Sequence, residues 1–405
     1  MHDLDELLTH CIRCGFCLED CPTFVETGNE LESPRGRIYL VRSALEGKLN
    51  WQEDVKPHMD LCLGCRACET ACPSAVEYGA IFEMARDIIE TEKPSAAKKA
   101  LLAGTTNPKL FRLQLSASKF LPGNRVPKFL SKSFSGSKAE ADLPTPQAKP
   151  NFPTLQTTTA VEGEVFMLIG CAMQVLYPRV HECTVRLLRR VGYVVKTVEQ
   201  ACCGSLHAHN GDLKTAREKA TALAMAFDGP IPIIVNSAGC GSTMKEYDDL
   251  IGDVAIPFTK RVFDLSEFLL SNGLIDQLKL APGLKGAKVS YHDACHLSHG
   301  QKITSQPREL IQAIPNSNYV ELVESLMCCG SAGVYNVLQP DMARRLLDRK
   351  VNHIKETMAD IVATGNPGCH AWIAQGCREQ KSARVMHTAE LLEAAFIGLE
   401  AFHES

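Results

Sequence analysis

The chain has 405 residues, 45% hydrophobic and 22% charged, with 47 acidic against 43 basic side chains and a net charge of −4. That balance, with a mean hydropathy of −0.07, excludes a disordered or collagen-like chain, and no apolar run approaches the roughly 18 residues that span a bilayer. The acidic start, MHDLDELLTHC, lacks the apolar core of a signal peptide, so the 18 cysteines are expected to be metal or cofactor thiolates rather than disulfides.

Eight cysteines fall within residues 11–72 and the other ten lie beyond residue 170. The first run is Cys11, Cys14, Cys17 and Cys21 followed by Pro22; the second is Cys62, Cys65, Cys68 and Cys72 followed by Pro73. Two such C-x2-C-x2-C-x3-C-P runs are the ligand spacing of two-cluster [4Fe–4S] ferredoxins. Three thiolates from one tight loop cap three irons, and the fourth completes the neighbouring cube. The crossed rule then predicts one cluster on Cys11, Cys14, Cys17 and Cys72, and a second on Cys62, Cys65, Cys68 and Cys21. A zinc module is the main alternative for paired C-x2-C, but a full four-cysteine run closed twice by proline is far more specific. Gly15 and Gly64 give the loops room. Between the runs, Ile38, Val41 and Leu45 recur at helical spacing after SPRGR. Arg35 and Arg37 at that helix start either offset cluster charge or lie on the surface as ordinary arginines.

From Lys93 to Lys138 the chain carries ten basic residues and no Asp or Glu. With the short apolar clusters LFRLQL and KFLPGNRVPKFL, this segment reads as a linker that either contacts anionic lipid or an acidic partner, or is a solvated connector. No nucleic-acid motif is present. Residues 139–160 read as a spacer.

The tail repeats itself. Its first copy places Cys171 after an apolar run, then Cys202-Cys203-Gly204, then Cys240; its second copy places Cys295, Cys328-Cys329-Gly330 and Cys369. Helical patterns at 178–191, 212–227 and 339–357 alternate with strand-like runs. Parallel α/β units follow, each with four thiols at the carboxyl edge of its own sheet. His292, His296 and His299, with His207 and His209, are candidates for proton handling, although turn histidines are commonly structural. Cys183 and Cys377 fall outside both patterns and are expected to be buried and inert.

The Cys…Cys-Cys-Gly…Cys pattern resembles the cysteine-rich "CCG" domain of heterodisulfide reductases and membrane-linked dehydrogenases. A two-cluster head followed by two such domains, with SPRGRIYL, SAGCG and MCCGSAGVYN, resembles the iron–sulfur subunit of bacterial glycolate oxidase over nearly the whole chain. The resemblance implies an electron-transfer subunit that works with flavoprotein subunits oxidising glycolate, and in many cases D-lactate. It also implies a quinone-type respiratory acceptor and a peripheral place on the cytoplasmic face of the inner membrane. The subunits of anaerobic glycerol-3-phosphate dehydrogenase and of lactate-utilisation complexes are the near alternatives. The family motif ends in Cys-x-x-Cys, but the first position here is Ser237 in one copy and Asn366 in the other. That departure argues against the five-ligand chemistry of disulfide reduction. Each remaining set of four can hold a cluster, another metal or none, and an additional cluster at one or both sites is the expectation.

No G-x-G-x-x-G, Walker A or G-x-S-x-G sequence occurs, so flavin and substrate are expected in partner chains and no catalytic residue is assigned here. The expected fold is α+β and multidomain: a helical two-[4Fe–4S] head (1–92), a basic linker (93–160), and two tandem α/β CCG domains (161–285 and 286–405).

Overall fold

The computed structural model describes residues 3–118, 146–147, 162–200 and 202–404. The head is helical. Its inter-run helix, Pro34–Leu45, starts where the Ser33 hydroxyl accepts from the Gly36 amide at 3.0 Å, with Pro34 at the first helical position. Ile38 and Val41 point inward, where they join Ile81, Phe82, Ala85 and Ile89 of the helix Tyr78–Glu92 in one core. This is the helix predicted from the spacing of Ile38, Val41 and Leu45, although Leu45 itself is exposed.

The first part of the basic segment is not a loose connector. It forms two helices, Ala96–Thr106 and Pro108–Ser118. The first is anchored by Lys98, which is buried and paired with Glu90 at 2.6 Å. A segment without acids of its own finds them on the head, at Glu90 and Asp60. The run KFLPGNRVPKFL lies outside the described residues, as does the spacer apart from residues 146–147, where the Gln147 amide donates to the Val175 carbonyl at 2.9 Å.

The tail contains two parallel four-stranded sheets. The first comprises β1 (Gly163–Met167), β2 (Tyr193–Lys196), β3 (Ile233–Val235) and β4 (Val262–Asp264), in spatial order β2-β1-β3-β4. The second comprises β5 (Ala287–Tyr291), β6 (Ser317–Tyr319), β7 (Ile361–Thr364) and β8 (Arg384–His387), in order β6-β5-β7-β8. Every pairing is parallel. All residues of β3 and β7 are buried, as inner strands covered on both faces must be.

The predicted helices lie at Pro178–Arg190, Leu213–Ala226 and Pro340–Thr357. Along Pro178–Arg190 the buried Val180, Cys183, Thr184, Leu187 and Leu188 keep helical spacing. Cys183 is thus one position of a core stripe, which accounts for its place outside the repeat. That stripe packs on the helix Thr388–Ile397 of the second copy, so one hydrophobic core joins both copies. Each such aliphatic side chain buried there stabilises the joint by about 1.5–3 kcal/mol. Cys377 is likewise buried.

Polar bonds align the copies as well. The Ala238 amide donates to the Gly365 carbonyl at 3.1 Å, and the Gly239 amide to Asn366 Oδ1 at 3.2 Å. The head is bound to both copies. Arg66 reaches Glu246 at 2.6 Å, Arg86 donates to the His209 carbonyl at 2.6 Å, and Tyr335 donates to the Leu61 carbonyl at 2.8 Å. Among the described residues, no helix is long and apolar enough to cross a membrane.

Candidate iron–sulfur and thiol sites

In the head, the loop after the helix Leu4–Thr9 brings Cys11, Cys14 and Cys17 around a small cavity whose far wall carries Cys68, Cys72 and Pro73. Cys14 is the single exposed cysteine of the 18. Exposed Ile12 and Phe16 flank it. Arg35 crosses behind this loop, donating to the Arg13 carbonyl at 3.2 Å and holding Glu30 at 2.6 Å.

The second set is enclosed. Burial pushes the Cys65 and Cys68 thiols well above their usual range, and charge on Cys21 and Cys62 would raise both further. Cys21, Cys62, Cys65 and Cys68 therefore sit within electrostatic reach of one another. Four buried thiols with no ion between them repel as thiolates, and soft metal is what such a donor set fits. Arg37 adds fixed positive charge. Its guanidinium is 1% exposed, pairs with Glu32 at 2.8 Å and donates to Thr23 Oγ1 at 3.1 Å. Of the two sequence readings, Arg37 takes the buried one, beside Cys21 and Cys62. The Tyr78 hydroxyl donates to Cys62 Sγ at 3.6 Å, a contact that no sequence pattern announces.

Each tail copy gathers its four cysteines at the carboxyl edge of its sheet, as predicted. Cys171 follows β1 and lies 3.6 Å from Cys202, and Cys203 sits within electrostatic reach of both Cys202 and Cys240. Cys203 and, after it, Ser237 lie close enough to Cys240 to hold its thiol below the usual range. In the second copy Cys295, Cys328, Cys329 and Cys369 follow one another within electrostatic reach. Asn366 Nδ2 donates to Cys369 Sγ at 3.6 Å. The positions that replace the motif's fifth cysteine therefore still touch the thiols, but as hydrogen-bonding groups.

The glycine of each Cys-Cys-Gly is fixed by geometry. Gly204 and Gly330 take φ of +87° and +88°, and a Cβ would lie 2.9 Å from the Ala216 carbonyl oxygen and 2.7 Å from that of Ala343. Only glycine allows the turn that aims two adjacent thiols inward while the next helix packs against it. Cys240 and Cys369 sit in the first turns of the helices Ala238–Lys245 and Pro367–Glu379.

Sequence reasoning treated the two sets as separate, but the structure makes them face one space. A cavity of about 1150 Å³ is lined by Cys171, Cys202, Cys203 and Cys240 from one copy and Cys295, Cys328 and Cys369 from the other. Cys62 and Leu63 of the head form part of its wall, with Leu101, Phe111 and Leu115 from the two basic-segment helices. Leu63, Cys65 and Ala67 share a hydrophobic core with Cys295, Cys328, Cys329 and Cys369. Charge on Cys295 raises the Cys65 thiol, which places the head's second set directly beside the second copy.

The candidate histidines differ from one another. His207 is held by Asp212 at 2.9 Å, His299 by Thr70 at 2.9 Å, and His209 by Glu83 at 2.7 Å. His209 stands against His296, with ring centroids 4.8 Å apart. His292 is fully buried and approaches Cys329 and Cys369.

A 4Fe-4S dicluster domain family matches residues 7–76, and a cysteine-rich domain family matches residues 165–245 and 289–374. The glycolate oxidase iron-sulfur subunit of Escherichia coli (strain K12) is 33% identical over 414 residues, covering 97% of this chain and 95% of that one. The chain belongs to the family of glycolate oxidase iron–sulfur subunits. A probable glycolate oxidase iron-sulfur subunit of Bacillus subtilis (strain 168) is 35% identical, with 97% and 95% coverage. Lactate utilization protein A of Oceanobacillus iheyensis matches 56% of this chain at 28% identity. As a member of this family, the chain is an iron–sulfur oxidoreductase component that carries [4Fe–4S] clusters.

Proposed function

We propose that the chain is the electron-transfer subunit of a glycolate dehydrogenase complex, acting also in D-lactate oxidation. In this reading it accepts electrons from flavoprotein partner subunits and delivers them to a quinone-type respiratory acceptor. Cys11, Cys14, Cys17 and Cys72 hold the outer cluster; Cys62, Cys65, Cys68 and Cys21 hold the inner one. When bound, these clusters supply reversible one-electron chemistry. The residues around them set direction. Exposed Cys14, between Ile12 and Phe16, offers the outer ligand set to a partner surface. Buried Arg37 and the Tyr78 hydroxyl favour added negative charge at the inner set. Cys65 then abuts the thiols of the second copy, and its packing in one core with Cys295 and Cys328 is the observation that carries this reading.

The cavity shared by the two copies is the place for an acceptor. Its walls include Phe111, Met173, Leu206 and Trp372, the apolar lining that suits a flat hydrophobic ring. The helix Pro108–Ser118 exposes Leu110 and Leu113 beside Lys109, which supports peripheral docking of the chain on the cytoplasmic face of the inner membrane.

The test is co-purification from native membranes with flavin and iron analysis, followed by electron paramagnetic resonance after anaerobic reduction. The expected result is reduced [4Fe–4S] signals in this chain and flavin in a companion chain. A purified chain without a [4Fe–4S] signal overturns the reading, as does a gene deletion that leaves growth on glycolate unchanged.

A further inference from the structure

The two copies are built on one plan but do not present the same chemistry. The strand β1 and Cys171 have the same spacing as β5 and Cys295, so Leu168 occupies in the first copy the place of His292 in the second. The same comparison through Ala216 and Ala343, whose carbonyls face Gly204 and Gly330, sets Leu223 against Lys350. Leu168 and Leu223 are ordinary buried leucines. His292 and Lys350 are fully buried as well, yet each brings a nitrogen to the edge of the thiol set.

His292 is the informative one. It is 0% exposed, and among the described residues neither ring nitrogen makes a hydrogen bond of normal geometry; the Lys350 ammonium faces it and the Ser325 backbone comes within weak reach. A buried imidazole left in that condition is unfavourable unless another atom takes its lone pair. One ring nitrogen and the Sγ atoms of Cys329 and Cys369 all lie within 4.8 Å of one another. Tetrahedral zinc–sulfur and zinc–nitrogen bonds place neighbouring donors about 3.5–3.8 Å apart, so small side-chain movements bring these three onto one ion. Thiolate with imidazole is a donor set for zinc or for iron. The Ser325 backbone stands where the outer partner of a ligating histidine is usually found.

We infer that the second copy holds a metal centre of mixed thiolate and imidazole ligation, with His292 supplying a nitrogen ligand beside Cys329 and Cys369, whereas the first copy's set is all sulfur. This goes beyond the electron-transfer reading and does not depend on which acceptor the complex uses. His292 adds a nitrogen donor to the second copy's set, where the first copy has Leu168.

The experiment uses the full chain purified anaerobically, with iron and zinc counted per chain and compared with the roughly eight irons of the head. If the extra metal is zinc, X-ray absorption at the zinc edge is expected to show a nitrogen shell beside sulfur. If it is iron, pulsed paramagnetic resonance on protein carrying 15N-histidine is expected to show a directly bound nitrogen. His292→Leu, which copies the residue of the first copy, is expected to lose that metal while head iron stays, and His292→Cys is expected to restore it with an all-sulfur signature. An all-sulfur shell or no nitrogen coupling in the wild-type chain overturns the inference, as does His292→Leu with full metal content. No metal beyond the head irons also overturns it. Loss of the head signals instead would count against the electron-transfer reading and leave these outcomes distinct.

Discussion

His387 Nε2 lies 3.0 Å from the Asn236 carbonyl oxygen, joining the end of β8 in the second copy to the end of β3 in the first. The other ring nitrogen, Nδ1, accepts from the Ala389 amide at 3.1 Å. The Nε2–H donates to that carbonyl in either charge state, but the Nδ1 bond requires a bare nitrogen, so a proton on Nδ1 breaks the helix cap. Asn236 in turn donates to His181 Nδ1 at 3.1 Å, which needs that ring neutral too.

Acid is therefore expected to loosen the junction between the copies. Burial lowers His181 and His370 to about 4 and His387 to about 3. Unfolded histidines take protons near 6.5, so below that pH the unfolded chain binds more protons than the folded one. The stabilisation is complete above pH 6.5 and is lost as the pH falls toward 4, by up to about 1.4 kcal/mol per pH unit for each histidine. Urea midpoints measured between pH 7 and 5 should fall steadily. His387→Asn, which can still cap the helix, should make the slope shallower. A flat profile would contradict this.

The Cys-Cys-Gly turns should tolerate no side chain. Gly204→Ala and Gly330→Ala each force a Cβ against a helix carbonyl at positive φ, at a cost of about 1–3 kcal/mol. Chemical denaturation of each variant measures this, and a change below about 0.5 kcal/mol would show that the turn relaxes freely.

Arg37 should matter for folding before it matters for redox chemistry. Arg37→Ala leaves Glu32, whose side chain is 9% exposed, with the His58 ring at 2.6 Å as its remaining side-chain partner among the described residues. Breaking such a pair costs about 3–5 kcal/mol. Arg37→Lys keeps the charge but not the fork that spans Thr23 and Glu32, and should fall between wild type and alanine. Equal stability of all three proteins would remove the pair from the account.

The helix Pro108–Ser118 should govern attachment to anionic lipid. Replacing Leu110 and Leu113, which are 46% and 66% exposed, by Asp should weaken sedimentation with phosphatidylglycerol vesicles at least tenfold, given about 1.5–3 kcal/mol for each buried leucine. Unchanged partitioning would place the membrane contact elsewhere.

The sequence spoke clearly where the chemistry is local. Two cysteine runs closed by proline, Ser33-Pro34 at a helix start and the Cys-Cys-Gly repeat can each be read within a few residues. What depends on distant partners could not be read. The basic segment reads from sequence either as a contact surface or as a solvated connector, because the acids that bind Lys98 lie at Asp60 and Glu90, outside it. The burial of Arg37 depends on Thr23, Glu32 and the His58 carbonyl closing around it. The common cavity exists because Ala238 and Gly239 bond to Gly365 and Asn366, and no periodicity within either copy encodes that pairing. His292 was visible as a turn histidine, but its approach to Cys329 and Cys369 comes from three separate segments.

Leu63, Cys65 and Ala67 are part of the second copy's own core. The head is therefore no swinging arm that shuttles between a donor and an acceptor. Its inner loop is wedged in place, so the separation between the inner ligand set and the second copy's thiols is set by packing rather than by domain diffusion. The same wedge makes the chain indivisible: cutting the head away would open the interior of the domain it is meant to serve.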